Sequence, residues 1–343
     1  MSKKRYTSIE LFAGAGGLAL GLEEVGLEHI ALNENNHEAC ETLRTNRPKW
    51  NVIEGNIEKI DFSKYLNKVD VVTGGFPCQA FSYVGKRLGL SDARGTLFYE
   101  FARVVKETQP LLCVGENVRG LLNHDKGRTI EGMISVLEEI GYKVLPPEVL
   151  KAINFSVPQK RERLIIVGIR KDINLNFDFP KPSKKVFVLK DALKKGRLYD
   201  SDVPLSEGVK YSERKEKYLS LIPPGGYWKD FPTEEIKKEY MKKSYYLGGG
   251  KTGMARRISW EEPSLTLTCN PSQNQTERCH PDETRPFTVR EYARIQTFPD
   301  DWKFAGSVQE QYKQIGNAVP VNLAKAIGKS IVKFLDDYYK QNS

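Results

Sequence analysis

The sequence predicts an α/β protein: a doubly wound, mostly parallel sheet carrying a smaller, irregular insertion. Three observations lead there. From Ser8 to Ile169, short apolar runs ending in glycine or an acid alternate with stretches of helical spacing, the pattern of strand–helix–strand units. From about Pro180 this alternation is lost, and 181–250 hold sixteen Lys or Arg, ten Asp or Glu and ten aromatic residues. After Arg285 regularity returns, and the last helix shows Ala324, Ile327, Ile331 and Leu335 on one face, a stripe that needs a sheet to cover. The expected organisation is therefore one domain from 1–180 plus 284–343, interrupted by a second at 181–283.

Composition sets the class. The 343 residues are 39% hydrophobic and 28% charged, ordinary for a globular protein, and the net charge of +9 favours a polyanionic partner. No run approaches the roughly 18 apolar residues of a membrane span, and the polar start Met1-Ser2-Lys3-Lys4-Arg5 lacks a signal-peptide core. A cytoplasmic location and no membrane partner are expected. The five cysteines are odd in number and show no Cys-x-x-Cys spacing, which favours reduced thiols. Cys269, Cys279 and His280 make a poor zinc site, so no metal is expected.

The elements follow in order. Ser8–Phe12 reads as a strand, Ala13 to Leu18 as a glycine turn, and the chain to about Val25 as a helix, a layout that brings a nucleotide-like ligand to backbone N–H groups. A second strand, His29–Glu34, ends in an acid twenty residues after Gly14. That carboxylate can accept both hydroxyls of a ribose, or can serve as a solvated acid at the start of a helix near Ala39–Arg44. Asn51–Ile57 is a third short strand.

The fourth strand, Val69–Gly75, runs into Phe76-Pro77-Cys78-Gln79-Ala80-Phe81-Ser82. Cys78 thus sits at the carboxyl edge of the sheet, where open α/β proteins bind ligands. Its alternatives are a nucleophile and a small buried hydrophobe. Tyr83–Arg94 has no apolar periodicity and reads as a loop or lid; Leu97, Phe98, Phe101, Val104 and Val105 give a helix. The fifth strand, Leu111–Val118, ends in Glu116-Asn117-Val118. If it lies parallel beside the fourth, their ends are about 5 Å apart and Cys78 and Glu116 face one substrate. The edge then divides in two: strands one to three offer glycines, Glu34 and Asn56 to a ribose and a base, while strands four and five offer a thiol and a carboxyl to something that reacts.

A helix near Thr129–Glu139 and a strand over Lys143–Leu150 precede the charged run Gln159-Lys160-Arg161-Glu162-Arg163, joined directly to the buried strand Leu164–Ile169. It is either a solvated turn or a source of one guanidinium fork aimed into the cleft. Basic and aromatic residues such as Phe187, Tyr199, Tyr227, Trp228, Tyr245 and Tyr246 suit a nucleic-acid surface, or a plain lysine-rich insertion. Thr288 and Glu291 form a capping box that starts a helix, and Gln314 to Pro320 leads into the final one.

Six blocks in one order carry a resemblance: Phe12-Ala13-Gly14-Ala15-Gly16-Gly17, Gly75 to Ser82, Glu116-Asn117-Val118, Gln159 to Arg163, Arg290-Glu291-Tyr292-Ala293-Arg294 and Gln314 to Val319. The chain resembles bacterial DNA (cytosine-5)-methyltransferases of the restriction–modification type over nearly all its length outside 181–255. The resemblance implies a Rossmann-like, S-adenosylmethionine-dependent methyltransferase fold with a target recognition domain at 181–283. It implies methyl transfer to carbon 5 of a flipped-out cytosine in duplex DNA through a covalent Cys78 adduct, leaving S-adenosylhomocysteine. By the same resemblance Glu116 is the acid on the ring, and Arg161 and Arg163 belong to the cytosine pocket, Arg163 on the ring carbonyl. Phe12, Gly14, Gly16, Gly17, Glu34, Asn56, Ile57, Gly75, Pro77, Asn317 and Val319 are the implied cofactor residues. Gln79, Ser82, Lys86, Arg87 and Arg94 of the lid 79–95 are implied DNA contacts, with Arg256, Arg257 and Thr266 of the recognition domain. Thr266-Leu267 or Leu267-Thr268 is its Thr-Leu signature.

The sequence departs from the pattern at two places. Asn56 stands where the family often has an acid that meets the adenine amino group, and Asn35 where many members have a stacking aromatic. The implied context is a monomer in a bacterial cytoplasm, on nucleoid DNA, with a cognate restriction endonuclease as a genetic rather than physical partner. The alternatives are a tRNA cytosine-5 methyltransferase and a DNA-binding relative without activity.

Overall fold

Strands and helices alternate through the first half of the chain. The computed structural model describes residues 5–77, 96–248, 252–273 and 276–342. Cys78, Gln79, Ser82, Lys86, Arg87 and Arg94 lie outside the described residues. In chain order the strands are β1 (Tyr6–Leu11), β2 (Leu27–Glu34), β3 (Val52–Glu54), β4 (Val71–Gly74), β5 (Leu112–Val118), β6 (Tyr142–Val144), β7 (Glu148–Lys151), β8 (Gln159–Lys160), β9 (Glu162–Arg170) and β10 (Ser264–Leu265). The helices are α1 (Gly17–Glu23), α2 (His37–Asn46), α3 (Leu97–Thr108), α4 (Arg128–Glu139), α5 (Leu189–Leu193), α6 (Glu213–Leu219), α7 (Glu234–Met241), α8 (Val289–Ile295), α9 (Val308–Asn317) and α10 (Val321–Gln341). None is long and apolar enough to cross a membrane among the described residues.

Two compact units divide the chain: Met1–Lys151 with Glu162–Pro182 and Leu323–Ser343, and Ala152–Arg161 with Ser183–Asn322. The expected boundaries were near 180 and 284. The second unit extends past them because β8 pairs with β10, and because α8 packs on both α5 and α9.

In the first unit the sheet order is β3-β2-β1-β4-β5-β9-β6, with β7 also on β9. The first five strands are parallel, and β6, β7 and β9 are antiparallel to their neighbours. The single strand expected over 143–150 is two short ones because Pro146-Pro147 lack the N–H groups that a ladder needs. Amphipathic α3 and α4 bury Phe98, Phe101, Val105, Met133, Val136 and Leu137 in one core with Ile9, Leu11, Val72 and Ile166 of the sheet. Ala324, Ile327, Ile331 and Leu335 of α10 are buried as their spacing predicts. The end of α10 is clasped to the sheet: Tyr339 Oη donates to Asp70 Oδ1 at 2.5 Å, Tyr6 donates to Asp336, and the two tyrosine rings stack at 5.7 Å.

One buried group makes a pH-dependent contribution. Glu10, opposite Thr73 in the ladder, is 1% exposed, and burial pushes its carboxyl well above the usual range, opposed by a hydrogen bond from the Ala19 backbone. A raised folded-state pKa means that the folded protein holds this proton after the unfolded chain has lost it. Stability is therefore full below about pH 4.3 and falls as pH rises towards the folded value, by up to about 1.4 kcal/mol per unit. Glu10→Gln should remove that fall, so thermal midpoints of variant and wild type should diverge between pH 5 and pH 8 in favour of the variant. Parallel curves would show that Glu10 is ionised in the fold.

The second unit builds a core of its own from the aromatic insertion. Tyr218, Leu219, Ile222, Trp228, Phe231, Met241 and Met254 pack together, and Phe187 is buried as well. An irregular segment of this length must bury apolar surface to be ordered, so much of its aromatic content forms the floor of the unit. Of the six aromatics named above, Tyr246 is the most open at 77% exposure. Thr288 and Glu291 form the expected capping box at the start of α8.

Candidate active site

β4 and β5 are parallel neighbours in register, Gly74 beside Gly115, which places Gly75-Phe76-Pro77 next to Glu116. A Cβ added to Gly75 would lie 3.0 Å from Glu116 Oε2, so glycine there lets the carboxyl approach the loop. Phe76 is anchored in the core against Phe98 and Phe101. Asn117 Nδ2 donates to the Phe76 carbonyl at 2.8 Å and fixes the backbone two residues before Cys78. The sequence reading gave Asn117 no separate role; its signal was a buried amide beside an acid at a strand end.

β9 brings the second charge. Glu116 lies opposite Ile165 and Val118 opposite Arg163, so Glu116 and Arg163 are diagonal neighbours on one face. Arg163 Nε meets Glu116 Oε1 at 2.7 Å, with side chains 11% and 13% exposed. Burial pulls the Arg163 pKa down and Glu116 opposes it. The pair is thus a nearly dry, charge-assisted contact of the kind that can hold a polar ring and place a proton.

The other half of the edge is a glycine turn held by a carboxylate. Phe12, Gly14 and Gly16 have positive φ (58°, 53° and 82°), and Gly17 begins α1. Glu34 Oε2 accepts the Gly14 N–H at 2.7 Å, and its Oε1 accepts those of Asn35 and Asn36 at 2.8 Å each. Glu34 thereby acts at the start of α2, as one of its two sequence readings has it, and also braces the glycine turn, which neither reading foresaw. About one of its roughly four lone-pair sites remains for a ligand hydroxyl, and a Cβ on Gly14 would meet nothing within 4 Å, so there is open space over the turn. These residues fit the ribose end of S-adenosylmethionine. Asn56 is engaged in capping a short turn through the Glu58 N–H, and the Ile57 side chain is in the core while its carbonyl accepts from Arg103. Glu34→Ala should weaken cofactor binding by about tenfold or more, since hydrogen bonds to a charged group are worth ~1.5–3 kcal/mol. Unchanged binding in calorimetry would remove Glu34 from the site.

The remaining candidates belong to the second unit. Arg161 is 1% exposed and donates to the Asn317 carbonyl at 3.3 Å; Val319 is 7% exposed. The Thr266 hydroxyl donates to the Lys160 carbonyl at 2.6 Å. Arg256 is held by both oxygens of Glu262 at 2.7 Å. Arg257 requires a correction. It is 4% exposed and its guanidinium donates to the carbonyls of Leu219, Ile222, His280, Pro281 and Glu283 and to Thr284 Oγ1, so it ties the unit together and offers DNA nothing. The thiols of Cys269 and Cys279 each have a separate oxygen acceptor, Asn317 Oδ1 and the Glu283 carbonyl. Among the described residues His37, Glu41 and Glu54 gather ligand atoms within 4.8 Å, but Glu54 is already engaged by His37 and Arg44.

Residues 6–333 match the family profile described as C-5 cytosine-specific DNA methylase. The chain belongs to this family. The methylase is 63% identical to Type II methyltransferase M.Eco47II of Escherichia coli over 99% of this chain and 82% of the relative, and 54% identical to Type II methyltransferase M.Sau96I of Staphylococcus aureus over 98% and 77%. Among solved structures, a putative DNA modification methyltransferase encoded within an E. coli prophage superposes with a TM-score of 0.68 at 25% identity, covering 96% of the methylase and 99% of that chain. The S. pombe Dnmt2 methyltransferase shares the fold at a TM-score of 0.65 and 17% identity, covering 98% and 99%. The methylase is thus a DNA (cytosine-5-)-methyltransferase, with the mixed α/β fold that its sequence predicts.

Proposed function

We propose that this methylase modifies one cytosine within a short duplex DNA sequence, through a covalent Cys78 adduct on a flipped-out base, and that it protects host DNA as a Type II modification enzyme. The observation that carries the chemistry is the Glu116–Arg163 pair beside Gly75-Phe76-Pro77 at the ends of neighbouring strands. The relatives named as Type II methyltransferases support the biological setting.

Carbon 5 of cytosine is too weak a nucleophile to attack a methyl sulfonium and is buried in the stacked duplex. Flipping costs a few kcal/mol and gives access. Addition of the Cys78 thiolate to carbon 6, while Glu116 places a proton at ring N3, makes carbon 5 an enamine carbon. The Arg163 guanidinium holds the ring carbonyl. S-adenosylmethionine supplies an electrophilic methyl group, and Glu34 with the glycine turn at Gly14 and Gly16 orients its ribose. Once carbon 5 carries the methyl group, with S-adenosylhomocysteine as the other product, a base removes the carbon 5 proton, the N3 proton returns to Glu116 and the Cys78 thiolate leaves, restoring the free enzyme. Arg256, Thr266 and the exposed side chains of 181–283 select the sequence.

The purified enzyme should transfer labelled methyl groups to duplex DNA, and bisulfite sequencing should place every product in one short motif. Labelling of tRNA in preference to DNA would redirect the assignment, and no transfer to either would leave a DNA-binding relative.

A further inference from the structure

Stretches far apart in the sequence meet inside the second unit at two side-chain amides. Gln159 and Gln296 are both fully buried. Gln159 Oε1 accepts the Leu267 N–H at 3.0 Å, and its Nε2 donates to Gln296 Oε1 at 2.8 Å. Gln296 Nε2 in turn donates to the carbonyls of Ile315 at 2.7 Å and Ala318 at 3.1 Å. The partners fix both amide orientations: an N–H needs the oxygen at one end, and two carbonyls need the nitrogen at the other. Neither side chain can turn without stranding a buried backbone group.

The surroundings repeat the tie. β8 pairs with β10, the Thr266 hydroxyl holds the Lys160 carbonyl, and Arg278 Nη2 holds the Thr266 carbonyl at 3.0 Å. Arg161 reaches the Asn317 carbonyl. A Cβ on Gly316 would lie 2.5 Å from the Thr268 carbonyl oxygen, so the end of α9 touches the segment after β10 backbone to backbone.

We propose that Gln159 and Gln296 are positioning residues that couple the placement of the Thr266-Leu267 segment, just after β10, to Arg161 and Asn317, so that a correctly read sequence sets these two residues. The inference rests on the proposed DNA cytosine methylation. A wrong sequence that displaces Leu267 withdraws the N–H from Gln159, and the strain passes through Gln296 to the 315–318 carbonyls. Coupling of this kind is a free energy between two places, commonly a factor of about 5–150.

The test begins with the wild-type enzyme and duplexes carrying its bisulfite-mapped site or single-base variants of it. Gln159→Leu, Gln296→Met and the double variant are compared by kcat, KM for DNA and thermal midpoint. The ratio of kcat/KM on the mapped site to that on variant sites should fall about tenfold or more. The double variant should be no worse than the more affected single one, because both break one path. An unchanged ratio, or an equal loss on every duplex, overturns the proposal. Should these variants not fold, hydrogen exchange of the Leu267 amide in the wild type decides: slower exchange with the mapped duplex than with a variant duplex supports coupling, and equal exchange overturns it. A wild-type enzyme that methylates no cytosine refutes the functional reading and this inference with it, whereas the other failures leave that reading intact.

Discussion

Cys78→Ala should abolish methyl transfer, and Cys78→Ser should retain no useful rate, because an unactivated hydroxyl near neutral pH is a far weaker nucleophile than a thiolate. The same bond can be trapped. With 5-fluorocytosine at the target position, methylation leaves no carbon 5 proton to remove, so the thiol cannot depart and enzyme and DNA stay joined. The adduct should need S-adenosylmethionine to reach its methylated form, survive denaturing electrophoresis and map by peptide mass spectrometry to Cys78. Near-wild-type activity in Cys78→Ala, or an adduct on another cysteine, would end the covalent proposal for this residue.

Glu116→Gln and Arg163→Met should separate chemistry from stability at one ion pair. The amide keeps the shape of Glu116 but cannot deliver a proton as an acid does, and a positioned proton donor commonly supplies ~10²–10⁴ in rate. Methyl transfer should fall by that order, and because the amide keeps an acceptor oxygen but not the charge facing Arg163, the thermal midpoint should fall too, by less than in Arg163→Met. Arg163→Met instead leaves the 13%-exposed Glu116 carboxyl without its guanidinium. Breaking a largely buried pair from one side costs ~3–5 kcal/mol, so this variant should lose stability as well as activity. If both variants lost only activity, the contact would be read as solvated; if Glu116→Gln kept its rate, proton placement would have to come from elsewhere.

The pairing of β4 with β5 was legible because its signals are local. A β-branched run closed by Gly74-Gly75, and another closed by Glu116, identify β4 and β5, and a short helical connection makes them parallel neighbours. Glu34 was legible as an acid at a strand end, but its three backbone N–H partners come from two loops and needed the fold. The recognition half was less legible. Composition counts an arginine or a tryptophan the same way on a floor as on a surface, so Arg257, spent on carbonyls, and Trp228, spent on a core, were both read towards DNA. Contacts such as Gln159 to Leu267 span 108 residues, and no periodicity records them.

The pairing of β8 with β10 bears on how such enzymes acquire new specificities. A graft cut at 181 and 283 would import a foreign segment after β10 but leave the host Gln159 and Gly316, which meet Leu267 and Thr268, and Gln296, which holds Gln159. The compact unit that holds both amides is larger than 181–283 and discontinuous, Ala152–Arg161 with Ser183–Asn322. Recombination that moved this whole set would carry both amides together with the backbone groups they bind, whereas a change at Leu267 alone would leave the Gln159 oxygen to find another partner in the interior.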